Sequence, residues 1–149
     1  MPELIDESMV VLDLQARDKD SAVHVLAERL ALAGRVTDIE QFLADVRARE
    51  QVMATGLEGG IGIPHARSSA VTSPSLAFGR SRSRVDFGAG DGPADLIFLI
   101  AAPADGGAEH MTILASLARR LVHGSFLESL RSLASPTEVA ELINREVGG

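Results

Sequence analysis

The chain has no cysteine, which excludes disulfides, cysteine-ligated zinc and thiol catalysis. It has no tryptophan or tyrosine, and its five phenylalanines are its only aromatics. With hydrophobic residues at 46%, any core must be built from Leu, Ile, Val and Ala. Lys19 is the only lysine against thirteen arginines, a skew better explained by a GC-rich genome than by a functional demand. No apolar run approaches a membrane span. The start, Met1-Pro2-Glu3-Leu4-Ile5-Asp6-Glu7, lacks the basic and apolar regions of a secretory signal, so a cytoplasmic protein is expected. A net charge of −7 argues against nucleic acid or an anionic membrane as a direct partner. Phosphate-loop and serine-elbow motifs are missing. The four histidines are scattered without ligand spacing, so neither a metal nor a cofactor is expected.

What remains is one domain's worth of patterned sequence, residues 1–149. Residues 9–14 read as a strand. Residues 18–33 read as a helix with Val23, Leu26, Ala27 and Leu30 on its apolar stripe and Gly34 as its stop. A second helix starts near Thr37, where Thr37 and Glu40 have capping-box spacing. It carries Ile39, Phe42, Leu43 and Val46 inward and ends near Gln51. A glycine-rich stretch, 56–62, leads to Pro64-His65. Residues 75–82 alternate like a strand, 86–93 form a turn-rich loop, and 94–101 make an apolar run suited to a strand buried on both faces. After a loop at 103–107, helices are expected over 110–122, 125–133 and from Ser135 to about Val147. Pro136 at the first position and Glu138 in a capping box mark the last of these. The expected architecture is α/β (or α+β), a three-layer α/β/α sandwich with a mixed central sheet.

Gly60-Ile61-Gly62-Ile63-Pro64-His65-Ala66 is the segment best suited to chemistry. Imidazole is a nucleophile at neutral pH, glycines admit a large anion to the backbone, and proline fixes the chain just before the ring. Taken alone, the segment is equally compatible with an ordinary turn. His110 opens a helix whose stripe continues through Leu114, Leu117 and Leu121, so its ring is expected at a helix N-terminus, where a neutral imidazole can donate to a bound anion. A buried histidine without a role is the competing reading. Arg49 continues the Phe42/Val46 stripe and either snorkels or faces an anion. Thr55-Gly56 offers a hydroxyl and a flexible backbone to the same anion. His24 and His123 read as surface residues.

Together, Arg49-Glu50-(x)4-Thr55-Gly56, Gly-Ile-Gly-Ile-Pro-His65, the 95–103 strand and Glu109-His110-Met111-(x)2-Leu114 resemble enzyme IIA of the fructose/mannitol class of the bacterial sugar phosphotransferase system. The resemblance spans essentially the whole chain. It implies that His65 accepts a phosphoryl group from phospho-HPr and passes it to a cysteine on a IIB component of a sugar permease. Membrane contact would then be only indirect, through that permease. Arg49 would supply charge, His110 a neutral donor, and Thr55 and Gly56 phosphate contacts. His65 is expected to react through its outer nitrogen while a backbone carbonyl holds the inner N–H. The loop Asp86-Phe87-Gly88-(x)2-Asp91-Gly92 resembles fructose members more than mannitol ones. The alternatives are a nitrogen-type regulatory phosphoprotein, or a receiver module of a transcription regulator, with phosphorylation-dependent binding as the output. A vestigial binding module is a third. Two departures stand out: Gly62 replaces a usual alanine, which should loosen the strand slightly, and Glu58 places an extra carboxylate near the loop.

Overall fold

The structure is a computed structural model that describes residues 3–105 and 108–148, with the side chains of 108–111 outside the description. It has a six-stranded mixed sheet and five α-helices. The strands are β1 (Val10–Val11), β2 (Gly56–Leu57), β3 (Ile61–Gly62), β4 (His65–Ser68), β5 (Ser75–Val85) and β6 (Ala94–Pro103). The helices are α1 (Lys19–Leu32), α2 (Ile39–Val52), α3 (Ala108–Leu121), α4 (Gly124–Ser132) and α5 (Pro136–Glu146).

The sheet runs β1-β5-β6-β3-β2, with β4 also paired to β6. β5 and β6 are antiparallel and form the longest ladder, broken by an irregularity between Arg80 and Val85. β3 and β4 lie parallel to β6 in one continuous register, Ile61 opposite Leu96 and His65 opposite Ile100. The interruption between them falls at Ile63-Pro64, where proline has no N–H to donate. Pro64 still contributes its carbonyl, which accepts from Ile100 N at 3.0 Å.

β6 is the centre of the core. Leu96, Ile97, Phe98, Leu99, Ile100 and Ala101 are all fully buried, so side chains on both faces of the strand are covered. α1 packs on β5 and β6, α2 on β4, and α3 on β6. Val23, Leu26, Ala27 and Leu30 of α1 are buried as the helical period requires. Phe78 and Phe98 meet across the β5–β6 ladder with ring centroids 5.2 Å apart.

Several boundaries differ from expectation. The first strand is only two residues long, because Met9 ends a 3-10 turn over Glu7–Met9 and the chain turns again at 12–13. The N-cap of α2 is Asp38, whose carboxylate accepts from Gln41 N at 3.2 Å. Thr37 is instead pinned ahead of the helix, its N–H and hydroxyl both donating to Ala70 O at 2.8 and 3.1 Å. The glycine-rich stretch is a hairpin of β2 and β3, and the Pro-His segment opens a strand rather than a turn. β6 continues through Pro103, where a loop was expected to begin. The last helix starts as expected, with Ser135 accepting from Glu138 N at 3.3 Å.

Candidate functional site

His65 sits at the first position of β4, and only 7% of its surface is exposed. Its Nδ1 lies 2.8 Å from Ile63 O. A carbonyl oxygen can only accept, so Nδ1 carries the proton and Nε2 is the lone-pair nitrogen of the neutral ring. Burial lowers the His65 pKa below its ordinary value, and the Arg49 charge adds to that; the Ile63 hydrogen bond and the Glu50 charge oppose it. The ring is therefore neutral at physiological pH, with the outer nitrogen in the nucleophilic form.

Ile63 is held in turn. Its N–H donates to Thr55 O at 3.1 Å, across the β2–β3 hairpin. Pro64 restricts Ile63 to extended conformations, which limits the direction of the carbonyl that holds the imidazole. Thr55 is anchored by the buried carboxylate of Glu50: Thr55 N donates to Oε2 at 2.9 Å and Thr55 Oγ1 to Oε1 at 2.7 Å. Lys19 Nζ stands 3.7 Å from the same carboxylate.

The expected site residues separate into groups. Arg49 is partly exposed at the end of α2, where its Nη1 donates to Met53 O at 3.3 Å while its charge acts on His65. Thr55 is buried, and both of its hydrogen-bond donors are spent on Glu50. Gly56 lacks the flexible backbone expected of it. Its N–H donates to Phe87 O at 2.9 Å, and an added Cβ would lie 2.6 Å from Ala89 N and 2.7 Å from Phe87 O. That close approach requires glycine there, independent of any anion. His110 belongs to the first turn of α3, but its side chain, and so the expectation that it faces the site, lies outside the described residues.

The slack expected at Gly62 is taken up. The Phe87 ring packs where an alanine methyl would stand, with Cδ2 at 2.7 Å from the ideal Cβ position. Glu58 is exposed at the hairpin turn. His24 is exposed, as expected, and pairs with Glu28 at 3.3 Å; His123, also exposed, lies at the N-cap of α4 without a side-chain cap bond. Glu50 is the residue to which sequence reasoning assigned no function. Its only signal was its place beside Arg49, five positions before Thr55.

The arrangement is a neutral, oriented imidazole beside a cation. It can accept and release an electrophilic group at Nε2 without moving the Nδ1 proton. The family model "Phosphoenolpyruvate-dependent sugar phosphotransferase system, EIIA 2" matches residues 3–146. The chain is 38% identical over 136 residues to the fructose-specific EIIA component of Haloferax volcanii, covering 91% of this chain and 88% of that protein. Its fold is similar to the crystal structure of nitrogen regulatory protein IIA-Ntr from Neisseria meningitidis, with a TM-score of 0.85, 31% identity, and coverage of 94% of this chain and 96% of that one. It is also similar to IIA mannitol of Escherichia coli in complex with phosphorylated IIB mannitol, with a TM-score of 0.78, 26% identity, and coverage of 93% and 96%. No helix among the described residues is long and apolar enough to cross a membrane.

Proposed function

The chain belongs to the EIIA 2 family of the phosphoenolpyruvate-dependent sugar phosphotransferase system, and from that premise we propose that it carries a phosphoryl group on Nε2 of His65. The observation that bears most weight is the 2.8 Å bond from Nδ1 to Ile63 O, because it selects the reacting nitrogen.

In this reading the Nε2 lone pair attacks the phosphorus of phospho-HPr. The N–P bond to the donor breaks as the bond to Nε2 forms, and the donor histidine recovers its electron pair. Attacking and leaving atoms lie roughly in line. No proton leaves His65, since Nδ1–H stays on Ile63 O. In the second step a cysteine thiolate of the IIB component attacks, and Nε2 takes back its pair. Arg49 offsets the roughly 1.5 to 2 negative charges of the phosphoryl group, and His110 donates from the start of α3. With their donors engaged elsewhere, Thr55 and Gly56 shape the pocket rather than ligate the anion. Residues 1–149 form one EIIA domain, which acts in the cytoplasm and meets the membrane only through the permease.

The substrate class is a sugar, with fructose favoured by the likeness to the Haloferax protein. The structural likeness to IIA-Ntr supports a regulatory phosphoprotein as the second reading, but the higher sequence identity lies with the transport component. The test is incubation with enzyme I, HPr and labelled phosphoenolpyruvate, followed by addition of a fructose-type IIB domain. Acid-labile label on the wild type, none on His65→Ala, and passage of label to IIB are expected. Equal labelling of both proteins overturns the assignment of His65. Labelling that never reaches IIB shifts the reading to regulation.

A further inference from the structure

Four residues between positions 50 and 65 form one hydrogen-bonded path that ends at the His65 ring. Glu50 Oε1 and Oε2 accept from Thr55 Oγ1 and N, Thr55 O accepts from Ile63 N, and Ile63 O accepts from His65 Nδ1. We propose that Glu50 is a positioning residue for phosphoryl transfer, which locks the Ile63 carbonyl in place through Thr55 and thereby keeps the proton on Nδ1 and the lone pair on Nε2 of His65. The inference deepens the phosphocarrier reading and rests on it.

Three features support a brace rather than an incidental contact. Glu50 is 8% exposed, so its carboxylate is shielded from water by its partners, while a half-exposed Lys19 stands 3.7 Å from it at the surface. The carboxylate grips both the N–H and the hydroxyl of Thr55, which fixes the residue in position and in rotation. Ile63-Pro64 separates β3 from β4 alongside β6, and Thr55 O is the partner that holds Ile63 N at that gap. Without the Thr55 contact the Ile63 carbonyl gains freedom just where the imidazole depends on it. A histidine whose inner N–H loses its acceptor populates both tautomers, and the one with Nε2–H has no lone pair at the reacting nitrogen. The grip on Thr55 also explains why the threonine hydroxyl, expected to meet phosphate, points to a carboxylate instead.

The experiment records the ¹⁵N shifts of the His65 ring in the full chain, together with kcat and KM for phospho-HPr. Glu50→Ala and Thr55→Ala are expected to move His65 from the Nδ1–H form toward a mixture. They should lower kcat about tenfold, the size of one lost hydrogen bond, with KM changed less than about twofold. Thr55→Ser keeps the hydroxyl and is expected to restore the tautomer. Should Glu50→Ala fail to fold, the two Thr55 variants carry the test. Folded Thr55→Ala with an unchanged tautomer and kcat overturns the proposal, as does a fall in melting temperature with no change at the ring. A wild type that takes no label from phospho-HPr overturns the phosphocarrier reading instead, and the ring shifts, which need no donor, still decide the role of Glu50.

Discussion

Gly62→Ala places a methyl group against a buried ring three residues before His65. The added Cβ would lie 2.7 Å from Phe87 Cδ2, 2.8 Å from Cγ and 3.2 Å from Cε2. Ordinary carbon contacts sit at roughly 3.5–4 Å, so the ring must withdraw by about 1 Å. Phe87 is 1% exposed and cannot swing into solvent. Overpacking of this kind costs about 1–3 kcal/mol, whereas replacing glycine by alanine in an unstrained backbone returns about 0.4–1 kcal/mol through the unfolded chain. A cavity lined in part by Val23, Val46, Pro64 and Phe87 adjoins the ring and offers some relief. The net expectation is a loss of about 0.5–2 kcal/mol, or about 1–8 °C in melting temperature. Urea unfolding of four proteins measures it: wild type, Gly62→Ala, Phe87→Leu and the double variant. Removing the ring removes the clash, so the double variant should be more stable than the summed single effects by about 1 kcal/mol or more. Additivity within about 0.5 kcal/mol refutes the claim that Phe87 occupies the alanine site.

Two other outcomes follow from the same coordinates. Arg131 donates from α4 to both carboxylate oxygens of Asp95, at 2.8 and 2.9 Å, and to Gly59 O, so it ties the hairpin turn to the start of β6. The pair is partly exposed, and Arg131→Ala should cost about 1 kcal/mol after solvent screening, less in 1 M salt, as chemical denaturation at two ionic strengths can check. The His65 pKa is lowered in the folded chain, so between that value and the unfolded value near 6.5 the unfolded state binds more protons. Stability should then rise with pH through this window and fall as pH drops below about 6.5. The slope should shrink in His65→Gln, and an unchanged slope would exclude His65 as its source.

Much of the fold was legible because its elements obey simple periods. The apolar run at 94–101 identified the central strand, and Val23, Leu26 and Leu30 identified α1; both signals reflect burial, which a sequence records directly. Caps were read less well. Thr37 and Asp38 are both competent N-cap residues, and the choice between them depended on a tertiary bond from Thr37 to Ala70 that local sequence does not contain. The short strands β2, β3 and β4 carry no period of their own; β3 and β4 form on the ladder that β6 offers, and β2 on β3. At the site, an inner N–H of His65 held by a backbone carbonyl was expected once the resemblance had been drawn, and Nδ1 does lie 2.8 Å from Ile63 O. The hydroxyl of Thr55 and the backbone of Gly56, expected to be available to an anion, meet Glu50 and the carbonyl of Phe87, partners that only the fold assembles.

Strand alternation explains how the His65 ring is held. Along the chain beside β6, alternate carbonyls face the ladder: those of Gly60 and Pro64 accept from Leu96 N and Ile100 N. The register with β6 is the same before and after Ile63-Pro64, so the sheet keeps its alignment there. The N–H and carbonyl of Ile63 face the other way, toward Thr55 O and His65 Nδ1. The ring thereby has an acceptor set between two strands that share one register, the arrangement the proposed phosphoryl transfer at Nε2 calls for. The same logic locates the weak point of the design. Ile63 lies between the strands, and the contact that secures it is Thr55 O, backed by Glu50. Sequence changes in the 50–55 connection therefore act on His65 without touching it. Their signature should be an altered imidazole tautomer before any loss of fold.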